Sequence, residues 1–159
     1  MKIDIICVGR LKEDYLREAA REYEKRLSRY CKLQILEVAD EKTIEDASDA
    51  MAERIRSLEA ERLKKHLREE ACLITLEIAG REMSSEAFAG AVEQLKLQGT
   101  SHLQFVIGGS IGLHNSIIKQ SKWHLSFSQM TFPHQLMRII LLEQLYRSFR
   151  INAGEPYHK

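Results

Sequence analysis

Five short apolar runs limit what this chain can fold into: residues 2–8, Leu33 to Val38, Cys72 to Ile78, Leu103 to Ile107 and Trp123 to Phe127. Each has the length of a strand and falls short of a buried helix. The segments between them carry helical periodicity. Tyr15, Leu16, Ala20, Tyr23, Leu27 and Tyr30 recur at three- and four-residue steps, predicting a helix from Glu13 to Arg29. Ile44, Ala47, Met51, Ile55, Leu58 and Leu67 predict a second, longer one with a solvated, charged outer face. Ser84 and Ser85 cap a third, with Phe88, Ala91, Val92 and Leu95 facing inward and Gly99 at its end. A short helix follows Gly112, and a last one runs from about Phe132 to Ile151, with Pro133 in the first turn where proline is tolerated. Strands alternating with helices predict an α/β fold, a parallel sheet covered on both faces. A length of 159 residues suits a single domain, residues 1–159.

No apolar run approaches the roughly 20 residues that span a bilayer. Asp4 interrupts the apolar N-terminus, which reads as a strand rather than a signal peptide. Cys7, Cys31 and Cys72 are odd in number and widely spaced, so buried free thiols in a reducing cytoplasm are expected, with no zinc pattern. His114, His124 and His134 lack metal-like spacing. His134, at a helix start, is expected to face solvent or an RNA phosphate.

The chemistry concentrates in residues 104–134. Gly108, Gly109 and Gly112 follow the fourth strand, and Ser126, Ser128 and Thr131 follow the fifth. Glycine permits close backbone approach, and adjacent strand ends facing one ligand are usual in open α/β sheets. No acidic residue lies between Glu93 and Glu143. Residues 1–93 hold 17 Lys+Arg and 21 Asp+Glu, a net of −4, and residues 94–159 hold 7 and 2, a net of +5. That asymmetry favours an anion-facing surface, and RNA fits it. The glycines form no Walker loop, because no Gly-Lys-Ser/Thr follows. A dinucleotide loop would need an acid about 20 residues on, and Trp123 to Thr131 has none. A ligand held mainly by backbone from several loops is left standing.

Longer motifs add a resemblance. Phe-Val-Ile-Gly-Gly-Ser-x-Gly at 105–112, Leu-Ser-Phe-Ser-x-Met-Thr-Phe-Pro-His-Gln at 125–135, Glu-Gln-x-Tyr-Arg at 143–147 and the ending Gly-Glu-x-Tyr-His-Lys at 154–159 resemble the ribosomal RNA large subunit methyltransferase H family, small SPOUT methyltransferases. Residues 5–12 and 76–86 extend the likeness over the whole chain. The resemblance implies a SPOUT-like α/β knot: a mostly parallel five-stranded sheet with a trefoil knot in the last third. It implies a cytoplasmic homodimer that methylates N3 of a pseudouridine in 23S rRNA, with S-adenosylmethionine as cofactor and no metal. Its cofactor contacts fall on Leu76, Gly108 and the loop Phe127, Ser128, Gln129, Met130, Thr131 and Phe132. Without the resemblance, Leu76 and Met130 would read as core. His158 is expected to accept the N3 proton, Tyr157 to stack on the target base, and Arg147, paired with Glu143, to hold a phosphate or orient the tail together with Arg150.

The last helix supports the dimer independently. Leu136, Met137, Ile139 to Leu142, Leu145, Tyr146 and Phe149 are apolar on more than one side, and a second subunit can cover what the sheet does not. Leu142 is expected on the partner-facing side. The alternative is a noncatalytic rRNA-binding or ribosome-assembly module, which the basic half would serve equally well but which has no use for glycine and serine loops converging at strand ends. A nucleotide-binding oxidoreductase is weakened by the missing acid.

Overall fold

The computed structural model describes residues 1–156. Five strands, β1 (Lys2–Val8), β2 (Lys32–Val38), β3 (Cys72–Glu82), β4 (His102–Ile107) and β5 (Trp123–Ser126), form one sheet in the order β2-β1-β4-β3-β5. Every pairing is parallel. Helices α1 (Asp14–Leu27), α3 (Ser85–Leu97) and α5 (His134–Asn152) cover one face, and α2 (Asp49–Lys64) and α4 (Asn115–Ile118) cover the other. The two-residue alternation of a strand divides β1 between these layers. Ile3, Ile5 and Cys7 join Leu16, Phe88 and Leu141 in the larger core, while Ile6 and Val8 join Ala60, Leu63 and Ile117 in the smaller. Burial on both faces explains why β1 and β4 read as nearly continuous apolar runs.

Two polar residues fall inside this arrangement. Asp4 and Gln104 pair across β1 and β4 on the α2 side, both buried. Asp4 accepts from His102 Nε2 at 2.8 Å and from Gln104 Nε2 at 3.0 Å, and Gln104 also donates to the His66 carbonyl and accepts from Arg68 N. A buried amide saturated in this way pins the turn after α2 to the sheet.

Three features differ from expectation. The second helix begins only at Asp49, where Ser48 accepts from Met51 N, so Ile44 and Ala47 lie in the preceding loop. Its inner face is Ile55, Glu59, Ala60 and Leu63, whereas Met51 and Leu58 are exposed. Leu142 is 0% exposed within the single chain, packed in the larger core, so it faces the sheet layer and not a partner. Finally, β3 does not stop at Ile78. The strand continues to Glu82, and both Leu76 and Arg81 pair with Leu125, so residues 77–80 form a bulge.

That bulge depends on Gly80. A Cβ there would lie 2.7 Å from the Leu125 carbonyl carbon and 2.9 Å from that of His124, both backbone atoms that cannot step aside. Gly80→Ala is therefore expected to destabilise the protein by about 1–3 kcal/mol, as overpacking does. A lowered urea midpoint with unchanged slope is the expected measurement, and an unchanged midpoint would show that the bulge can relax.

Candidate functional site

The carboxyl ends of β3, β4 and β5 enclose a cavity of about 650 Å³, in the range of small-molecule sites. Three segments build it. After β4, the chain turns back on itself through a bridge between Gly109 and Gly112, with Gly112 N donating to Gly109 O at 3.1 Å and Gly112 at φ +83°. That turn brings Gly112 against Gly108, where an added Cβ would meet the Gly112 carbonyl carbon at 2.8 Å. After β5, Ser126 Oγ donates to the Ser128 carbonyl and Ser128 Oγ accepts from Met130 N, which curls the 127–133 loop over the opening. The third wall is the β3 bulge, through Glu77, Ile78 and Ala79, and His134 and Met137 on the first turn of α5 complete the lining.

Seven of the eight residues expected to contact the cofactor line this one cavity: Leu76, Gly108, Phe127, Ser128, Met130, Thr131 and Phe132. Met130 does so from a side chain 73% exposed. Gln129 does not; its amide donates to Glu82 at 2.8 Å. The sequence reading missed Ile78, Ala79, Leu113, Ile118, Pro133 and Met137. Ile78 and Ala79 arrive through a bulge that strand periodicity cannot register, and the others are apolar residues that resemble core in any sequence.

The acid-free stretch is not acid-free in space. His114 Nε2 lies 2.9 Å from Glu53, His124 Nδ1 lies 2.8 Å from Glu77, and Arg138 pairs with Glu37. The tautomer of His114 follows: its Nδ1 accepts from Ser116 N, so Nε2 carries the hydrogen given to Glu53. Glu59 is buried beneath Gly109, where an added Cβ would meet its carboxylate at 3.1 and 3.2 Å, and burial holds its pKa above the ordinary value. Three acids of the first half are thus folded against His114, His124 and Arg138 of the second. Glu77 also stands at the rim of the cavity, so an acid does face it, supplied by β3 and not by the segment downstream of the glycines.

His134 departs from expectation. It is half-buried against Gly9, and burial, reinforced by Arg138 and Lys12, holds its pKa below 6.5 despite the opposing pull of Asp40. A ring neutral at neutral pH is a poor phosphate ligand. The three cysteines are free and buried, and burial pushes the Cys7 thiol up to about 12 and that of Cys31 to about 11, so neither is a nucleophile near neutral pH.

Of the residues expected to be catalytic, Tyr157 and His158 lie outside the described residues. Arg147 makes the expected pair with Glu143, donating from Nε at 3.0 Å and from Nη2 at 2.7 Å. It sits 13 residues along α5 from His134, roughly 20 Å at 1.5 Å per residue, and does not line the cavity of its own chain. Beyond it, Glu155 is fastened by Arg150 and by Tyr30 Oη, which donates to it at 2.8 Å.

Among the described residues, no group of three or more His, Cys, Asp or Glu side chains is placed to hold a metal ion, and no helix is long and apolar enough to cross a membrane. A family profile described as "Predicted SPOUT methyltransferase" matches residues 1–158. The chain is 58% identical over 159 residues to the ribosomal RNA large subunit methyltransferase H of Bifidobacterium adolescentis, and 57% identical to that of Bifidobacterium animalis subsp. lactis, covering 100% of each chain in both cases. In structure it is similar to "a probable methylase family protein from Haemophilus influenzae Rd KW20", with a TM-score of 0.57 at 16% identity over 99% of this chain and 70% of the other. At that identity the likeness shows the fold alone.

Proposed function

This chain belongs to the SPOUT methyltransferases and, within them, to the ribosomal RNA large subunit methyltransferase H family; from that premise we propose that it transfers a methyl group from S-adenosylmethionine to N3 of a pseudouridine in 23S rRNA. The observation that carries the cofactor reading is the cavity: Gly108 and Gly109 present bare backbone to it, and its remaining walls are mostly apolar. S-adenosylmethionine supplies the methyl group when bound. Gly108 and the 127–132 loop hold and orient it, while Met130, Thr131 and Phe132 close the opening against water. A ring nitrogen bearing a proton is a poor nucleophile, so a base must take that proton, and His158 is the residue we assign. Tyr157 stacks on the target base, and Arg147 and Arg150 hold the tail that carries both. The proposal includes cytoplasmic localisation and one catalytic domain over residues 1–159. It also includes a trefoil knot: with β3 between β4 and β5, the connection through α4 crosses β3 on one face and α5 returns on the other.

The site is completed by a second copy of the chain. Helix α5 starts at the cavity and carries the tail roughly 28 Å away over its 19 residues. Residues 155–159 span at most about 18 Å when extended, and Glu155 is fastened at the far end. From Glu155 that reach is shorter than the distance back along α5 to the chain's own cavity, whereas an antiparallel contact of two α5 helices would bring the partner's tail to it. Met130, Phe132 and Leu136, all exposed near the start of α5, supply the apolar surface for that contact. Leu136, 37% exposed, replaces Leu142 as the residue to test. Leu136→Glu is expected to dissociate the dimer with the fold retained, whereas Leu142→Glu is expected to unfold the chain, because a buried unpaired charge costs several kcal/mol. Sedimentation and circular dichroism separate the two outcomes; a Leu136→Glu protein that stays dimeric would move the interface elsewhere.

The function itself is tested by calorimetry with S-adenosylmethionine and by mass spectrometry of rRNA from a deletion strain, with and without the gene restored. Cofactor binding and a pseudouridine methyl group that disappears and returns with the gene are expected. Affinity for rRNA without affinity for the cofactor would favour a noncatalytic binding module.

A further inference from the structure

We propose that the cleft between α1 and the start of α5 grips the phosphodiester backbone of the RNA substrate through Arg10 and Arg21. The proposal rests on the rRNA reading above and adds where the RNA runs. The cleft holds about 660 Å³ and is lined by Arg10, Arg17, Arg21, Glu24, Glu37 and Arg138, among others. Its four guanidiniums are not equivalent. Arg138 is 1% exposed and committed to Glu37 and to the Gly9 carbonyl at 3.1 Å, although its Nε meets no acceptor among the described residues. Arg17 is committed to Asp14 and to the carbonyls of Leu11 and Lys12. Arg10 and Arg21 are exposed and have no hydrogen-bond or ion-pair partner among the described residues. The committed pairs neutralise Glu37 and Asp14, which leaves Glu24 against Arg10 and Arg21, with Lys12 in the same loop. The free charge of the cleft is therefore positive.

Position decides what that charge is for. The first turns of α5 form a wall between two hollows: His134 and Met137 face the cofactor cavity, and Arg138, one residue on, faces the cleft. The wall is stiffly mounted. Lys12 N donates to Gln135 Oε1 at 2.9 Å, and Gly9 packs against the His134 ring. A strand whose phosphates lie on Arg10 and Arg21 runs along this wall, one helix width from the cavity, so a base turned out of it reaches over Pro133 and His134 toward the methyl donor. Guanidinium suits this duty because it is permanently charged and matches phosphate oxygens in pairs.

The test uses the full-length protein and a fluorescein-labelled single-stranded RNA, with binding followed by anisotropy between about 50 and 200 mM KCl. The Arg10→Ala/Arg21→Ala double variant is expected to bind roughly tenfold more weakly at low salt. Its log–log salt dependence should be shallower by about 1.4, at about 0.7 for each single-strand phosphate that is no longer neutralised. Melting temperature and calorimetric affinity for S-adenosylmethionine should not change, and the Arg10→Lys/Arg21→Lys variant should recover most of the slope, since a point charge also releases counterions. An unchanged slope in the alanine variant, from a wild-type protein that methylates large ribosomal subunits, overturns the cleft and leaves the function standing. A wild-type protein that neither binds RNA nor methylates large subunits overturns both.

Discussion

A chain ending at Pro156 should bind S-adenosylmethionine as the intact protein does and methylate nothing. The truncation removes Tyr157, His158 and Lys159 and leaves both the cavity and the fastening of Glu155 by Tyr30 and Arg150 untouched. Losing a positioned base costs roughly 10²- to 10⁴-fold in rate, and losing the stacking ring adds to it. The geometry of α5 makes a sharper result available. If the tail acts on the neighbouring subunit, a truncated chain mixed with a Gly108→Arg chain yields a heterodimer with one whole site: the cavity of the first and the tail of the second. That mixture should recover activity although neither parent has any. Heterodimers verified by mass spectrometry that fail to methylate ribosomes would sink the shared site.

Gly108→Arg should reduce affinity for S-adenosylmethionine by at least about 10²-fold, some 2.7 kcal/mol, while the protein remains folded. The added Cβ meets the Gly112 carbonyl carbon at 2.8 Å, the oxygen at 3.0 Å and Leu113 Cδ2 at 3.1 Å, so the substitution displaces the glycine turn that lines the cavity. Even Gly108→Ala must therefore push the glycine turn outward, and an intermediate loss is expected from it. Position 108 lies just past the end of β4, so the sheet and both cores stay packed. Calorimetry on the two variants gives the ranking, and full affinity in the arginine variant would place the cofactor elsewhere.

The glycine turn shows how a reading of the sequence can carry an incomplete reason. Gly108 stands out in the sequence as a place where backbone meets ligand, yet the structure adds a tighter constraint: the turn packs on itself before any ligand arrives. Gly80 is the opposite case. It resembles a strand terminator, and it is instead the one residue that lets β3 pass Leu125 twice. Periodicity counts residues along a single strand, whereas a bulge is a relation between two strands, so no pattern in residues 72–82 reveals it. The charge asymmetry was an incomplete guide for the same reason. Glu53, Glu77 and Glu37 are distant in sequence from His114, His124 and Arg138, and chain-wise counting cannot know that folding sets them 2.8 to 2.9 Å from the two histidines and against the arginine.

What the amino-acid sequence determined by itself is whatever depends on near neighbours. Five apolar runs of strand length became five strands, and in β1 and β4 burial on both faces of a parallel sheet demands such runs. Ser84 caps α3 and Gly99 ends its turn at φ +90°, since capping and left-handed backbone are local chemistry. The motifs that carry the family resemblance mark Leu76, Gly108 and the 127–132 loop, and the fold then gathers seven of those residues around one cavity. Only the tertiary structure decided the order β2-β1-β4-β3-β5, the pairing of Asp4 with His102 and Gln104, and the burial of Leu142. It alone decided that α5 divides the cavity from an arginine-lined cleft and that Glu155 is fastened beyond the far end of that helix. Each of these joins residues far apart along the chain, and their proximity is set by how the layers pack.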